Sequence, residues 1–212
     1  GRDFWAYQPP AQPEIPTIEG DVWSRRDVDY FVLARLKNNG LVPSADAELP
    51  TLLRRLHFDL IGLPPAPQTI DAFVSRAETV GVDDALAVEV AGLLASSQFG
   101  ERWGRHWLDV ARFAESSGKD ANISFPYAWR YRDYVIDCVN DDVPYDRFLT
   151  EQVAGDLLPF DSPQERARLL IATGFLAVGT KNLDAMNPVQ FQADIVDEQI
   201  DTTTRAVLGS SI

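Results

Sequence analysis

The sequence predicts an all-α protein, with about eight or nine helices packed around one core and a Pro-rich, extended N-terminal arm. Three observations support this fold class. Apolar residues recur at helical spacing almost throughout the chain after residue 26. No segment alternates apolar and polar residues with the period of two that is typical of strands. Gly and Pro residues separate the helical stretches, as they do at helix ends.

The arm is predicted from a run of Pro residues, which are Pro9, Pro10, Pro13 and Pro16. Such a run favours polyproline conformation and excludes a helix. We therefore expect residues 1–26 to form the arm and residues 27–212 to form a single helical domain. That domain could divide into two lobes that meet near residues 78–98.

Five helices are predicted in the first half of the chain, over residues 27–39, 49–61, 67–77, 83–96 and 100–116. Gly40 is a natural stop for the first helix, and Gly62 followed by Pro64 and Pro65 ends the second. A polar loop over residues 117–125 is expected after the fifth helix.

Four further helices are predicted over residues 127–140, 145–158 and 163–178 and from residue 188 onward. Ser162 and Glu165 form a capping box around Pro163 at the first helical position, and Asn187 with Pro188 repeats that pattern. The last helix carries one apolar stripe, formed by Val189, Ala193, Val196, Ile200, Thr203 and Val207.

The composition excludes several classes of function. The net charge of −13 makes nucleic acid an unsuitable partner, because an acidic chain repels phosphates. No stretch approaches the roughly 20 apolar residues that a membrane-spanning helix needs.

The single cysteine, Cys138, lies on an apolar helix face, where a thiol is expected to be inert. Phosphate-binding loops, nucleophile elbows and zinc-binding motifs are absent from the sequence, which argues against most ATP-, NAD- and zinc-dependent enzymes.

Four stretches carry a specific family resemblance. They are residues 100–113 (GERWGRHWLDVARF), 129–136 (WRYRDYVI), 143–148 (VPYDRF) and 152–159 (QVAGDLLP). The chain resembles the cytochrome-associated middle domain, a domain of unknown function, of the large extracytoplasmic planctomycete-type cytochrome c proteins. The resemblance covers nearly the whole chain, from Trp5 to Gly209.

The resemblance implies a place in a larger protein. Relatives continue past the Leu-Gly pair, here Leu208 and Gly209, into a Cys-x-x-Cys-His segment that attaches haem c; this chain is expected to stop before it, at Ile212. The chain itself would then hold no cofactor, and the full-length protein would carry haem c. The implied location is periplasmic or otherwise extracytoplasmic, and the implied partners are the remaining domains of the same polypeptide and a redox partner.

The function implied by the resemblance is that of an exported helical module, which frames a haem or an electron-transfer partner and is not catalytic by itself. One alternative is a module that binds or modifies polysaccharide. That alternative would use Trp129, Tyr131 and Tyr134 as stacking platforms beside carboxylates. A second alternative is a protein–protein interaction domain, which an exposed apolar patch would favour.

His106 is the first candidate site residue, because it lies in the stretch most typical of the family and borders an apolar stripe that includes Trp103, Trp107 and Val110. A histidine there could be an axial haem ligand, a general base or a hydrogen-bonded residue at the edge of the core. Asp109 and Asp133 are the candidate catalytic partners of His106, if the three converge in an open cleft.

Two sets of charged residues could have either a functional or a structural role. Asp194, Glu198 and Asp201 share one row of the last helix and could bind a divalent cation, but a solvated face with salt bridges at i, i+4, which include Asp201 with Arg205, is the preferred interpretation. The resemblance adds a further role for that row, in which it orients basic groups next to a haem. A second set joins Arg130 and Arg132 with acidic residues that include Asp133 and Asp137, and it predicts Arg–Asp pairs between helices. His57, the other histidine, is expected at the surface or in a cap.

Overall fold

The computed structural model describes residues 3–118, 122–183 and 187–210. Within these ranges the chain forms nine α-helices and no strand apart from one isolated bridge between Ser116 and Ser124, which confirms the all-α fold class. The helices are α1 (Asp27–Asn38), α2 (Leu49–Leu60), α3 (Pro67–Val80), α4 (Val82–Leu94), α5 (Ser97–Val110), α6 (Trp129–Asn140), α7 (Tyr145–Ala154), α8 (Pro163–Ala172) and α9 (Pro188–Leu208).

The contacts between residues divide the chain into two units, Gly1–Glu48 and Leu49–Ile212. The first unit contains helix α1 and the Pro-rich segment, which as predicted forms no α-helix; it has a short 3₁₀ turn at Trp5–Tyr7 and a turn closed by a hydrogen bond from the Asp21 N–H to the Ile18 carbonyl. Helix α1 begins after Arg26, where the Asp29 carboxylate accepts hydrogen bonds of 2.9 Å from the N–H groups of Arg25 and Arg26. The predicted domain that starts at residue 27 stays a prediction.

The second unit contains α2 to α9, and its buried apolar residues form two clusters where the sequence predicted one core. The first cluster joins α2, α3 and α4 through Leu53, Phe73, Ala77 and Ala85. The second, larger cluster is built mainly from α6, α7, α8 and the turns beside them; its buried members are Ala111, Tyr131, Tyr134, Val135, Cys138, Phe148, Ala172, Phe175 and Val178. The predicted junction of two lobes near residues 78–98 stays a prediction.

Local caps explain where several helices begin. The Ser96 hydroxyl accepts a hydrogen bond from the Gln98 N–H before α5, and the Ser162 hydroxyl accepts one from the Glu165 N–H before α8. The Asn187 side chain accepts from two N–H groups at the start of α9. A side chain that satisfies these otherwise unpaired donors stabilises the first turn of a helix, so the predicted caps at Ser162 and Asn187 are confirmed. The reciprocal half of the predicted capping box differs, because the Glu165 carboxylate accepts from the Asp161 N–H and not from that of Ser162.

Helix α5 is shorter than predicted, because it ends at Val110 and not at residue 116. Arg112 has a φ of 54°, in the left-handed region, which a helix cannot continue through. The last predicted turns of two other helices are 3₁₀ segments, Gly155–Leu157 after α7 and Thr173–Leu176 after α8. None of the helices in the described ranges is long and apolar enough to cross a membrane.

Candidate functional site

Helix α9 has two apolar faces on opposite sides. The inner side is buried or half-buried against the rest of the second unit and carries Phe191, Ile195, Glu198, Thr202 and Ala206. The predicted stripe begins at Val189, two residues before Phe191, and two residues correspond to a rotation of about 200° around the helix. That stripe is therefore on the outer side, where Val189, Val196, Ile200 and Val207 are exposed. The predicted stripe exists, but it does not face the core.

Ion pairs hold the inner side of α9 to the rest of the second unit. The Asp201 carboxylate accepts from Arg112 at 2.5 Å and from Arg205 at 3.0 Å. The Glu198 carboxylate accepts from the Lys181 ammonium group at 2.9 Å, and both of these side chains are largely buried. Because Arg112 and Lys181 lie outside the helix, these carboxylates join α9 to the segments that follow α5 and α8.

The predicted acidic row is thus only partly a solvated face. Asp194 is exposed and accepts a hydrogen bond from Gln190 within the helix, and the predicted i, i+4 pair of Asp201 with Arg205 is present. Glu198 and Asp201, however, line a polar cleft of about 350 Å³ together with Lys181 and Arg112. In the part of the chain that the structure describes, no group of three or more His, Cys, Asp or Glu side chains is arranged to hold a metal ion.

His106 is exposed, and its ring lies 5.4 Å from the ring of Trp103. The expectation that it is a hydrogen-bonded residue at the core edge is therefore wrong. Asp109 is also exposed, and Asp133 is half-buried with its carboxylate 2.8 Å from Arg132, the residue beside it. No hydrogen bond or ion pair within residues 3–118, 122–183 and 187–210 joins His106, Asp109 and Asp133. Their catalytic role and the haem-binding role of His106 stay predictions.

The other histidine has the opposite environment. His57 is buried in α2, and its Nε2 lies 3.0 Å from Oε1 of Glu89 in α4. Arg76 in α3 approaches the same carboxylate at 3.6 Å. The predicted surface or capping role of His57 is therefore wrong, because the three side chains join three helices around the smaller cluster.

These two histidines make a matched test of burial. We expect His106→Ala to change the melting temperature by no more than about 2 °C, because exposed substitutions shift the unfolding free energy by about 0.5 kcal/mol or less. His57→Ala removes a buried side chain and leaves the half-buried Glu89 carboxylate with only the more distant Arg76, so it is expected to cost about 1–3 kcal/mol. Thermal unfolding followed by circular dichroism measures both. Equal losses for the two variants would contradict the placement of His106.

A buried carboxylate, Glu151 of α7, is the centre of a network that the sequence did not reveal. Its side chain is fully buried. It accepts hydrogen bonds from the Tyr134 hydroxyl at 2.9 Å, from Arg147 at 2.6 Å, and from both terminal nitrogens of Arg168 at 2.5 and 2.8 Å. Burial alone would raise the pKa of this carboxyl, but the hydrogen bonds from Arg168, Arg147 and Tyr134 outweigh it and hold the pKa below its ordinary value.

The interhelical Arg–carboxylate pair therefore exists, but with other residues than predicted. Arg132 pairs with Asp133 and Glu115 at the surface, whereas Arg168 of α8 and Tyr134 of α6 meet at Glu151. One indication of the importance of this region was present in the sequence, because the family motif over residues 152–159 begins directly after Glu151.

The adjacent residue Gln152 belongs to a second buried network. Its Oε1 accepts from the Trp107 indole N–H at 2.9 Å and from the Tyr131 hydroxyl. Burial raises the pKa of both Tyr131 and Tyr134 well above the ordinary value. Both tyrosines are buried, so they cannot stack on a sugar. The prediction that Tyr131 and Tyr134 serve as stacking platforms in a polysaccharide-binding module is therefore wrong.

Cys138 is buried as predicted, and burial raises the pKa of its thiol to about 11. The thiol is therefore protonated at neutral pH and is a poor nucleophile.

The chain matches a known protein family. A family model described as "PSCyt2: Protein of unknown function (DUF1549)" matches residues 27–212. No curated protein and no solved structure matches the chain.

Proposed function

Because the chain belongs to the PSCyt2 family of proteins of unknown function (DUF1549), we propose that it is a non-catalytic helical module of an exported cytochrome c protein. In this proposal, the outer face of α9 covers a haem-bearing segment or an electron-transfer partner. The observation that carries the proposal is the orientation of α9. On its inner side Glu198 and Asp201 form ion pairs with Lys181 and Arg112, while the apolar stripe on its outer side is exposed.

The exposed stripe is large enough to bind a partner. It runs along most of the 21 residues of α9, and a helix of that length extends about 30 Å. A shallow groove of about 650 Å³ lies along its first half, between Val189 and Ile200, and is lined mostly by apolar atoms. Full burial of an aliphatic side chain contributes about 1.5–3 kcal/mol, and roughly half of that is still to be gained at Val196, Ile200 and Val207, which are already half-buried.

The inner ion pairs explain why the stripe stays exposed. Since both sides of α9 carry apolar residues, burial of apolar surface alone does not decide which side faces the core. A rotation of the helix could bury the outer stripe instead. In α9 that rotation would separate Asp201 from Arg112 and Glu198 from Lys181. A charge left unpaired in a partly buried place is strongly unfavourable, so these pairs keep the outer face available.

An apolar cover of this kind has a clear use beside a haem. The polarity and solvent exposure around a haem are among the properties by which a protein sets its reduction potential. The family resemblance supports a Cys-x-x-Cys-His segment near the end of α9 in the full-length protein, and hence an extracytoplasmic location. The outer stripe of α9 would exclude water from one side of that haem.

The test joins this chain to its Cys-x-x-Cys-His segment and compares two substitutions of nearly equal exposure. Ile200 in the α9 stripe is 47% exposed, and Leu170 in α8 is 46% exposed. We expect Ile200→Lys to lower the urea midpoint at which the visible absorption of the haem changes, because a charged side chain prevents close apolar contact. Leu170→Lys should leave that midpoint unchanged, and neither should much affect the helical signal of this chain, since both sites are exposed.

Two results would contradict the proposal. One is an equal effect of both substitutions on the haem transition. The other is an effect of Ile200→Lys on the helical signal as large as its effect on the haem transition, because the stripe would then stabilise this chain and not a partner.

A further inference from the structure

A second surface feature, separate from α9, is an aromatic cleft of about 440 Å³ between α5, the end of α6 and the start of α7. We use "aromatic cleft" for the space lined by Phe99, Trp103, Trp107, Cys138, Val139, Asp142, Val143, Tyr145 and Phe148. Its volume lies in the range of small-molecule sites, which are mostly apolar with a few polar groups.

The inner wall of the aromatic cleft is rigid. The indole N–H of Trp107 donates to the Tyr131 hydroxyl at 3.0 Å and to Gln152 at 2.9 Å. The Trp107 ring also packs edge-to-face against Phe148, with centroids 4.9 Å apart, and stacks on Phe175 at 5.6 Å. Because these contacts hold Trp107 in one orientation, a ligand would meet a preorganised ring and lose little free energy to ordering it.

The outer walls are open aromatic rings. Trp103 is 43% exposed, and its ring lies 6.1 Å from that of Phe99. Tyr145 is exposed on the opposite helix, and its ring meets Trp107 edge-on at 6.4 Å. Two indoles and a phenol therefore border one space. The negative faces of such rings attract cations.

The only charged side chain in this lining is Asp142. Within the described ranges of the chain, no hydrogen bond or ion pair engages its carboxylate. More negative charge lies close by in sequence, at Asp133, Asp137 and Asp141 of α6 and the turn after it. Burial raises the pKa of the Asp137 carboxyl, and the carboxylates of Asp141 and Asp133 raise it further. The lining of the cleft thus carries one carboxylate without a partner in the described residues, in a chain of net charge −13.

From this geometry we propose that the aromatic cleft binds a small organic cation with a quaternary or alkylated ammonium group. Its methyl or methylene groups would contact Trp103, Trp107 and Tyr145, and its charge would be balanced by Asp142. A neutral sugar fits less well, because each hydroxyl that enters an apolar cleft needs a hydrogen-bond partner. Apart from Asp142, the lining side chains offer only two indole N–H groups, a phenol and a protonated thiol, and the N–H of Trp107 is already bonded.

The experiment titrates the 212-residue protein with choline and with dimethylbutanol, an uncharged alcohol that carries a tert-butyl group where choline has trimethylammonium. Ligand-observed NMR and calorimetry at constant ionic strength measure binding. We expect saturable binding of choline and at least about tenfold weaker binding of the alcohol, since cation–π contacts and one carboxylate favour the charged form. Equal binding of both compounds, or no saturable choline binding at millimolar concentrations, would overturn the proposal.

Matched variants locate the site. Asp142 has a φ of 49°, which Asn tolerates as well as Asp, so Asp142→Asn removes the charge without straining the backbone. Asp141→Asn removes the same charge one residue away, outside the lining. We expect about tenfold weaker choline binding for Asp142→Asn, and less than about threefold for Asp141→Asn, because a charge farther from the ligand is screened by water and salt.

The aromatic wall has its own control. Trp103→Leu should weaken choline binding by about fivefold or more, whereas Trp129→Leu, at a residue 45% exposed outside the cleft, should not change it. Equal effects within either pair would contradict the assignment of the cleft. If the protein bound cello-oligosaccharides but not choline, and Trp103→Leu abolished that binding, the proposal would be wrong and the cleft would be a sugar-binding site.

Discussion

Replacing Arg168 by Met is expected to lower the free energy of unfolding by about 3 kcal/mol at neutral pH, because it leaves the buried Glu151 carboxylate without its bidentate partner. Met preserves most of the apolar stem, so the loss reports on the charge. The expected loss is at the lower end for buried pairs, since the Arg168 side chain is 40% exposed and Arg147 remains. For a chain of this size the melting temperature should fall by about 6–12 °C.

The pH dependence of that loss identifies its cause. In the native protein the folded pKa of Glu151 is depressed, so the network stabilises the fold above the ordinary carboxyl pKa, and this stability is lost as the pH falls through the folded value. Without Arg168 the folded pKa rises, and the carboxyl takes up a proton at a higher pH. The deficit of Arg168→Met should therefore be full at neutral pH and shrink as the solution becomes acidic.

The matched control is Arg166→Met on the same helix. Arg166 donates to the backbone carbonyl of Asp156 and lies over the ring of Phe160, with no buried carboxylate as its partner. Its deficit should be smaller and should not shrink in acid. Thermal melts of both variants across the acidic range measure this difference, and a constant deficit for Arg168→Met would show that packing, not charge, was lost.

Gly155→Ala is the second substitution for which we expect a large effect, a loss of about 3 kcal/mol or more. Gly155 has an ordinary helical φ of −58°, so its backbone conformation does not require glycine. Space does, because a Cβ there would overlap the backbone carbonyl oxygen of Leu169 in α8. A backbone atom in a packed helix cannot move aside as a side chain can, so α7 and α8 would have to separate.

Gly92→Ala is its control, with an expected effect of opposite sign. Gly92 is exposed inside α4, and a Cβ there would meet nothing within 4 Å. Alanine favours helix over glycine by about 1 kcal/mol, so this variant should melt at a higher temperature than the native protein. Chemical unfolding of the two variants checks both signs. Stabilisation by Gly155→Ala would contradict the close approach of α7 and α8.

The helices were predictable because their signals are local. Ser162 with Glu165 and Asn187 with Pro188 mark helix starts within four residues of sequence. Helix α5 was predicted to be too long because its end depends on Arg112, whose ion pair with Asp201 joins residues 89 positions apart. No local pattern reports such a contact.

The candidate site was less predictable for two physical reasons. Helix α9 carries apolar residues on both sides, Phe191 and Ile195 on one and Val196 and Ile200 on the other, so periodicity alone does not choose the inner face. The Glu151 network was missed because it joins α6, α7 and α8, and in sequence each of its charged residues looks like part of a solvated face.

Thiol labelling tests the orientation of α9 most directly. Ile200→Cys places a thiol on the outer stripe, and Thr202→Cys places one on the inner side, where the native residue is only 4% exposed. The native Cys138 is buried and serves as an unreactive internal reference. We predict rapid labelling of Ile200→Cys and slow labelling of Thr202→Cys, and protection of Ile200→Cys once the haem-bearing segment is joined to the chain. Slow labelling of Ile200→Cys in the chain alone, or labelling unchanged by the haem-bearing segment, would contradict the proposal that α9 presents its apolar stripe to that partner.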